Sequence, residues 1–514
     1  MAAVAPAQSP LSGGQLALVA IALALGTFMV VLDTTIANVS LPTIAGNLGV
    51  SSDNSTWIVT AFAVANGISV PLTGWLMRRF GVVRTFCVSL ALFTVASLLC
   101  GIAWNLPSLI TFRIMQGAVS GPMMPGSQAL LIAIFAADKR ATALSLWSMT
   151  TLVAPILGPI LGGWISDNYH WSWIFLINIP FGIFTFIVCW TNLRSRETPT
   201  ARVPIDTIGL TLLVLWVGAL QIVLDLGKNA DWFNDGMIVV LAIIALVSFV
   251  AWLIWELTDA NPVVDLSLFT NRNFAIGTLA FSLGYAVFFA NILLLPLWLQ
   301  TQLGYNATWA GLVGAPSGMV AVLLTPPVAR LAARVDARIL ATWSFLVFAI
   351  SYWMRSGYTT GASFWDFTLP LIVQGAAMAT FFIAMLQISL DRIPPERMPS
   401  AAGLSNFARI VAGAFAASMI TTAWDRREAL HQSRLAEAIG ERAPYQHAAD
   451  ALGRLGMNTT QAAAAVTRQM VSEAYLLAAT DLFRLSAWLV AALVILVWFC
   501  RRPESDGDTP MAAD

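Results

Sequence analysis

From Leu16 to Leu32 the chain runs seventeen residues without a charge, then places Asp33 inside the same apolar stretch, in VLDTTIANVSLP (residues 31–42). Apolar windows of about 20 residues, the length of a helix that crosses a bilayer, recur along the whole sequence. Six begin near Leu16, Thr56, Val83, Ser108, Ala141 and Trp173, two near Ile205 and Gly236, and six near Phe274, Thr308, Arg338, Trp365, Ala401 and Asp481. The pattern predicts an all-α integral membrane protein with fourteen transmembrane helices, arranged as six, two and six. Residues 1–15 are then an N-terminal tail, 16–193 a six-helix bundle, 194–260 two inserted helices and 261–500 a second six-helix bundle. A long outer loop at 425–480 belongs to the second bundle, and 501–514 form the C-terminal tail.

Lys and Arg collect on the cytoplasmic side of membrane proteins. With both termini inside, the inner connections hold Arg78, Arg79, Arg84, Lys139, Arg140, Arg194, Arg196, Arg202, Arg272, Arg330, Arg334, Arg338, Arg392, Arg397, Arg501 and Arg502. The short outer connections hold only Lys228 and Arg355. The asymmetry predicts an N-in, C-in topology.

The two six-span blocks share short matches in the same order. STW at Ser55 meets ATW at Ala307, and TGWLMRRFGVVR from Thr73 meets TPPVARLAARVD from Thr325, both at an offset of 252. RIMQGA from Arg113 meets LIVQGA from Leu371 at 258, and ALS from Ala143 meets GLS from Gly403 at 260. Repeats of this kind mark secondary transporters, whose site lies near the midplane between the halves. The halves also differ. The fifth span carries APILGPILGG, in which Ala154, Gly158, Gly162 and Gly163 permit close helix approach and Pro155 and Pro159 bend the helix. The matching stretch of the thirteenth span lacks that pattern.

Composition narrows the class. Of 514 residues, 58% are hydrophobic and 11% charged, against roughly 25% charged in an average soluble protein. The mean hydropathy is +0.76. A net charge of zero argues against a nucleic-acid partner. Cys87, Cys100, Cys189 and Cys500 all sit in apolar runs, as small buried hydrophobes do, so neither a disulfide framework nor a metal site is expected. No Lys or Arg flanks the first apolar run, so it is expected to remain as a span and not to be cleaved as a signal.

LDTTIANVSLP, GWLMRRFG after the second span, RIMQG in the fourth and GPILGG in the fifth resemble the major facilitator superfamily, and more closely its fourteen-span drug:proton antiporters. DNYHWSWIFLINIPFG from Asp167, LSLF at Leu266 and the long outer loop resemble the EmrB type, over nearly the whole chain. The resemblance implies a multi-pass protein of the bacterial inner membrane that works with a periplasmic adaptor (EmrA-type) and an outer-membrane channel (TolC-type), with 425–480 facing the periplasm. GPILGG is the family's antiporter signature. One departure concerns the loop after the second span, which in the family reads G-x-L-A-D-R-x-G-R-R. Here Arg78 stands at the acid's place and Val82 and Val83 replace basic residues, so only Gly74, Arg79 and Gly81 are carried over, the glycines for turn geometry.

An acid near the bilayer centre costs at least about 2.5–3.5 kcal/mol, so Asp33 needs a reason. It lies about 6 residues before the outer end of the first span, and Arg113 about 5 residues after the outer start of the fourth, which puts both roughly 8–9 Å below the outer face. A proton-coupling pair or a purely structural ion pair would both satisfy that depth. Arg409 has no evident acid in its half and either attracts anionic substrates or donates to a backbone carbonyl. Asp225, Asp366 and Glu256 fall at span ends, where snorkelling to water is expected. Phe28, Asn38, Asn66, Gln116, Gln128, Tyr285, Phe289, Asn291, Phe382 and Asn406 are the candidates to line a cavity, together with Met29, Phe288, Phe381 and Met385. Interhelical hydrogen bonds or plain core packing are the alternatives for each. In the outer segment, GMNTTQAAAAVTRQMVSEAY reads as a helix capped by Thr459 or Thr460, open to running on into the fourteenth span.

No G-x-x-x-x-G-K-[ST] phosphate loop supports an ATP-driven pump. His170, His431 and His447 fall in expected outer loops and no hydrolase motif is present, so no enzyme activity and no cofactor are expected. The expectation is proton-coupled efflux of hydrophobic and amphiphilic compounds by alternating access, in contact with membrane lipids. Export of one specific metabolite, or a channel or sensor, are the alternatives.

Overall fold

The computed structural model describes residues 11–50, 55–136, 139–201, 204–259, 262–440, 450–452 and 454–502. The outer parts of both expected tails and His447 lie outside them. The described residues are helical and connecting segments, with no strand among them. The first half contains α1 (Gly13–Leu48), α2 (Trp57–Ser69), α3 (Thr73–Phe80), α4 (Val82–Gly101), α5 (Leu106–Ser120), α6 (Met123–Ile134), α7 (Arg140–Asn168) and α8 (Asn178–Leu193). Two inserted helices follow, α9 (Thr207–Leu226) and α10 (Gly236–Thr258). The second half contains α11 (Arg272–Gln302), α12 (Ala307–Ala332), α13 (Ala337–Arg355), α14 (Phe364–Ser389), α15 (Met398–Gly440) and α16 (Thr459–Trp498).

Eleven helices among the described residues are long and apolar enough to cross a membrane, or thirteen if each of two bent pairs is one span. One bent pair is α2 and α3, at 57°; the other lies within α7, where Thr142–Pro155 and Ile160–Ser166 diverge by 42° around the two prolines. The fourth expected span is occupied by α5 and α6, which meet at Gly121 and Pro122.

Many starts are written in the residue just before the helix. Asp206, Asp235, Asn271, Asn306 and Asp336 each accept a backbone N–H from the first turn. Asn105 with Ser108, and Ser363 with Asp366, close reciprocal capping boxes. Asp366 is therefore a cap at an exposed helix start, and Asp225 is exposed with Gln221 donating to it. Glu256 departs from the snorkelling expectation: it is 3% exposed and accepts the Val264 N–H at 3.2 Å, because the chain folds back over it after α10.

The outer segment also differs from the expected loop. α15 continues to Gly440, and the helix expected in the outer segment does run on into the last span as one helix from Thr459, capped by Asn458 through a box with Gln461 rather than by Thr459 or Thr460. The two extensions pack together: Trp424 donates to the Tyr475 carbonyl at 3.1 Å, and His431, on α15 and not in a loop, meets Asp481 at 3.0 Å. Ala, Glu, Gln and Arg favour helix without raising hydropathy, so an apolar window cannot see this pair.

The halves meet along α2, α3, α6 and α7 of the first and α12, α14 and α15 of the second. Gly74, expected in a turn, is instead inside α3, and a side chain there would run into Ser400, whose Cα lies 3.0 Å from the added carbon. Gly81 is the turn residue, at φ +93°, where Glu197 presses close and accepts the Val83 and Arg84 N–H groups at 2.9 and 2.8 Å. The inserted helices bridge the halves: α9 packs on α2, and Trp216 meets Phe407 of α15 at 5.6 Å. At their other end Lys228 pairs with Asp425 at 2.9 Å.

Candidate functional site

Asp33 and Arg113 are both fully buried and form an ion pair between α1 and α5. Gln116, one turn along α5, accepts from Arg113 at 2.7 Å and donates to the other carboxylate oxygen at 3.0 Å. Asn178 of α8 donates to that same oxygen at 3.2 Å, and Ser97 of α4 receives Gln116 at 2.8 Å. Arg113 also donates through Nε to the Ile58 carbonyl at 3.0 Å and lies over the Phe62 ring at 4.2 Å. Five helices thus contribute to one cluster around the carboxylate. Desolvation of two charges is offset only while the geometry and the extra hydrogen bonds hold, and loss of one partner strands the other.

The glycine-rich face of α7 packs on α1 next to this cluster. Thr35, two residues beyond Asp33, is what a side chain at Gly158 would meet, and Gly162 lies against the Ile36 carbonyl, 2.9 Å from an added carbon. Thr35 also donates to the Ala154 carbonyl at 3.4 Å. Ala154, Gly158 and Gly162 therefore form the face of α7 that touches α1; Gly163 is buried and Pro155 half-buried beside it. The Pro159 side chain lies outside the described residues.

A second buried arginine sits where the halves meet. Arg409 of α15 is 2% exposed. Trp147 of α7, Phe281 and Tyr285 of α11 and Phe382 of α14 surround its guanidinium, with ring centroids 5.1–5.8 Å away. It donates to Asn406, which in turn donates to Gln128 of α6 at 3.0 Å. Phe289 stacks on Tyr285 at 5.7 Å. Of the cavity candidates, the structure thus gathers Gln128, Tyr285, Phe289, Phe382, Asn406 and Arg409.

The remaining candidates lie elsewhere. Gln116 belongs to the Asp33 cluster. Asn66 donates to Ser120 at 2.7 Å and Asn291 to Ser486 at 3.0 Å, both interhelical bonds within one half. Phe28 is half-buried and Asn38 exposed. Met29, Phe288, Phe381 and Met385 are core, Phe381 edge-on to Phe281, Phe345, Phe348 and Phe382. Arg79 lies in α3, next to the turn at Gly81.

Sequence reading placed Arg355 in an outer loop and missed its setting. It ends α13, is 1% exposed, donates to Gln374 and to Ser351 (3.4 Å) and faces the Tyr352 and Phe483 rings. The signal was available: LIVQGA places Gln374 where Gln116 stands in RIMQGA, and a buried glutamine at that position invites a donor.

Comparison with known proteins agrees with this architecture. Residues 23–417 match the model of the Major Facilitator Superfamily. The multidrug export protein EmrB of Haemophilus influenzae is 48% identical, over 96% of this chain and 97% of its own. The fatty acid resistance protein FarB of Neisseria gonorrhoeae is 45% identical, over 97% and 98%. Among solved structures, a bacterial homologue of the human lysosomal transporter Spinster, inward-facing and unoccupied, shares the fold with a TM-score of 0.53 and 14% identity, covering 96% of this chain and 100% of that one. The chain belongs to the Major Facilitator Superfamily.

Proposed function

We propose that this chain is a proton-coupled multidrug efflux antiporter of the bacterial inner membrane, exporting hydrophobic and amphiphilic compounds by alternating access. The similarity to multidrug export proteins over nearly the whole chain supports the export reading. The buried Asp33–Arg113 pair carries the coupling. A proton and the Arg113 guanidinium compete for the same carboxylate. Protonation removes the charge attraction, freeing Arg113, Gln116 and Asn178 to pair differently, and so shifts the balance between two arrangements of α1 and α5. The glycine face of α7, packed on Thr35 and Ile36, passes that shift to the helix that adjoins α12 of the other half.

Fourteen spans with both termini in the cytoplasm fit this cycle, and so does the placement of the basic connections inside. Gln128, Tyr285, Phe289, Phe382, Asn406 and Arg409 line the substrate path where the halves meet. The helical pair made by the ends of α15 and α16 then stands on the periplasmic side, suited to an EmrA-type adaptor leading to a TolC-type channel. No catalytic chemistry is assigned. One charge crossing 100 mV supplies about 2.3 kcal/mol, and a tenfold gradient takes about 1.4 kcal/mol, so one proton sustains roughly a forty-fold gradient of a neutral compound.

The test is proton release on adding substrate dyes to everted vesicles carrying wild type or Asp33→Asn at matched expression. The variant should lose the substrate-dependent signal; an undiminished signal refutes the mechanism. A response to one metabolite alone would favour a dedicated exporter.

A further inference from the structure

Arg409 differs from Arg113 in what its charge meets. Among the described residues no salt bridge reaches it, and its Nη1 has no hydrogen-bond partner. The Nε2 of Gln128, at the other end of the Asn406 link, is also unpartnered. Gln128 is 1% exposed. The four rings around the guanidinium give cation–π attraction, yet rings supply no acceptor for an N–H in the guanidinium plane. A buried cation with an unanswered N–H and a buried amide donor without an acceptor are each costly. They come from opposite halves, α15 and α6, and the surface around the guanidinium is aromatic. Two N–H donors, one positive charge and an apolar wall are the complement of a small anionic headgroup on an apolar body.

We propose that Arg409 and Gln128 form a headgroup subsite for amphiphilic carboxylates, whose apolar portion lies along Phe281, Tyr285 and Phe382. The proposal rests on the export reading for its physiological use and names the substrate class of that site. A carboxylate held here takes one hydrogen bond from each half, so the substrate itself helps to hold the halves together at this point.

The test compares a dansyl-labelled undecanoic acid with its methyl ester, which has the same body without the charge. Binding to the full chain in nanodiscs is read by energy transfer from tryptophan. Wild type should bind the acid more tightly than the ester. Arg409→Gln should lower that preference about tenfold, the lower end for a lost charge-assisted hydrogen bond. Arg409→Lys should keep most of it, and Gln128→Met should reduce it by a smaller factor. The ratio of acid to ester corrects for partial loss of folded protein, and the two milder variants decide the matter if Arg409→Gln does not accumulate. An unchanged ratio in Arg409→Gln, or a wild type indifferent to the charge, overturns the subsite. Selective binding by a wild type that exports neither probe from cells would uphold the subsite and defeat the export reading instead.

Discussion

In the first half Arg113 reaches Gln116 from its own helix, and Asp33 closes the pair from α1. In the second half Gln374 stands at the repeat position of Gln116 and receives Arg355 from the neighbouring helix α13, with Ser351 and two rings around it. Both halves bury an arginine against a glutamine, but among the described residues only the first gives that arginine an acid. The guanidinium keeps its charge at any working pH, and glutamine and serine do not titrate. The second cluster therefore has one state where the first, through its carboxylate, has two. On the proposed mechanism, only the first half's copy of this arginine–glutamine contact can respond to a proton.

The sharpest way to break this comparison is to remove each arginine in turn. Arg113→Ala strands an ionised Asp33 in the core and should cost about 3–5 kcal/mol, read as a large fall in thermal unfolding temperature in detergent. Asp33→Asn combined with Arg113→Gln should recover most of that stability without recovering transport. Arg355→Met strands no charge, so its cost should stay near about 1–3 kcal/mol and the dependence of efflux on the proton gradient should persist. Equal costs at the two sites, or loss of proton dependence in Arg355→Met, would make the halves equivalent.

Glycine contacts sharpen the same contrast at smaller scale. Gly158→Ala forces a methyl against Thr35 beside Asp33 and should destabilise by about 1–3 kcal/mol through overpacking, with slower efflux. Gly314 lies in α12 of the second half with no atom within 4 Å of an added carbon. Gly314→Ala should stabilise its helix by about 0.5–1 kcal/mol. If both substitutions behave alike, the α1–α7 contact is not a point of special constraint.

The sequence made the helices legible because a bilayer demands long apolar windows, and their starts fall close to the observed ones from Leu16 through Ala401. It also indicated Asp33 with Arg113, since two opposite charges at equal depth have few other partners. It could not indicate Asn178, Ser97 or the Ile58 carbonyl, which complete that cluster from helices distant in the chain and are unremarkable as residue types. Arg355 was misplaced because a charge at a span end looks the same whether it turns outwards or inwards. Gly74 was misread as a turn residue because its need for a missing side chain arises from Ser400, more than three hundred positions away. Local pattern carries periodicity and caps; convergence belongs to the packing.

The ends of the halves away from the chain termini also differ, and here the expected effect is smallest. At the end away from the chain termini the first half closes with short connections, whereas the second extends α15 and α16 into a helical pair held by Trp424 on Tyr475 and by His431 on Asp481. The far end of that pair depends on a local device. Asn458 accepts the Gln461 N–H at 2.8 Å, and the Gln461 side chain accepts the Asn458 N–H at 3.0 Å. Asn458→Ala removes the cap, worth about 1 kcal/mol, so the first turn of α16 should fray and its amides exchange about fivefold faster. The amides near Tyr475, held by the aromatic contact, should not change. Faster exchange along the whole extension would mean that the cap, and not the packing on α15, keeps the helical pair standing, and that the second half carries a far softer end than its length suggests.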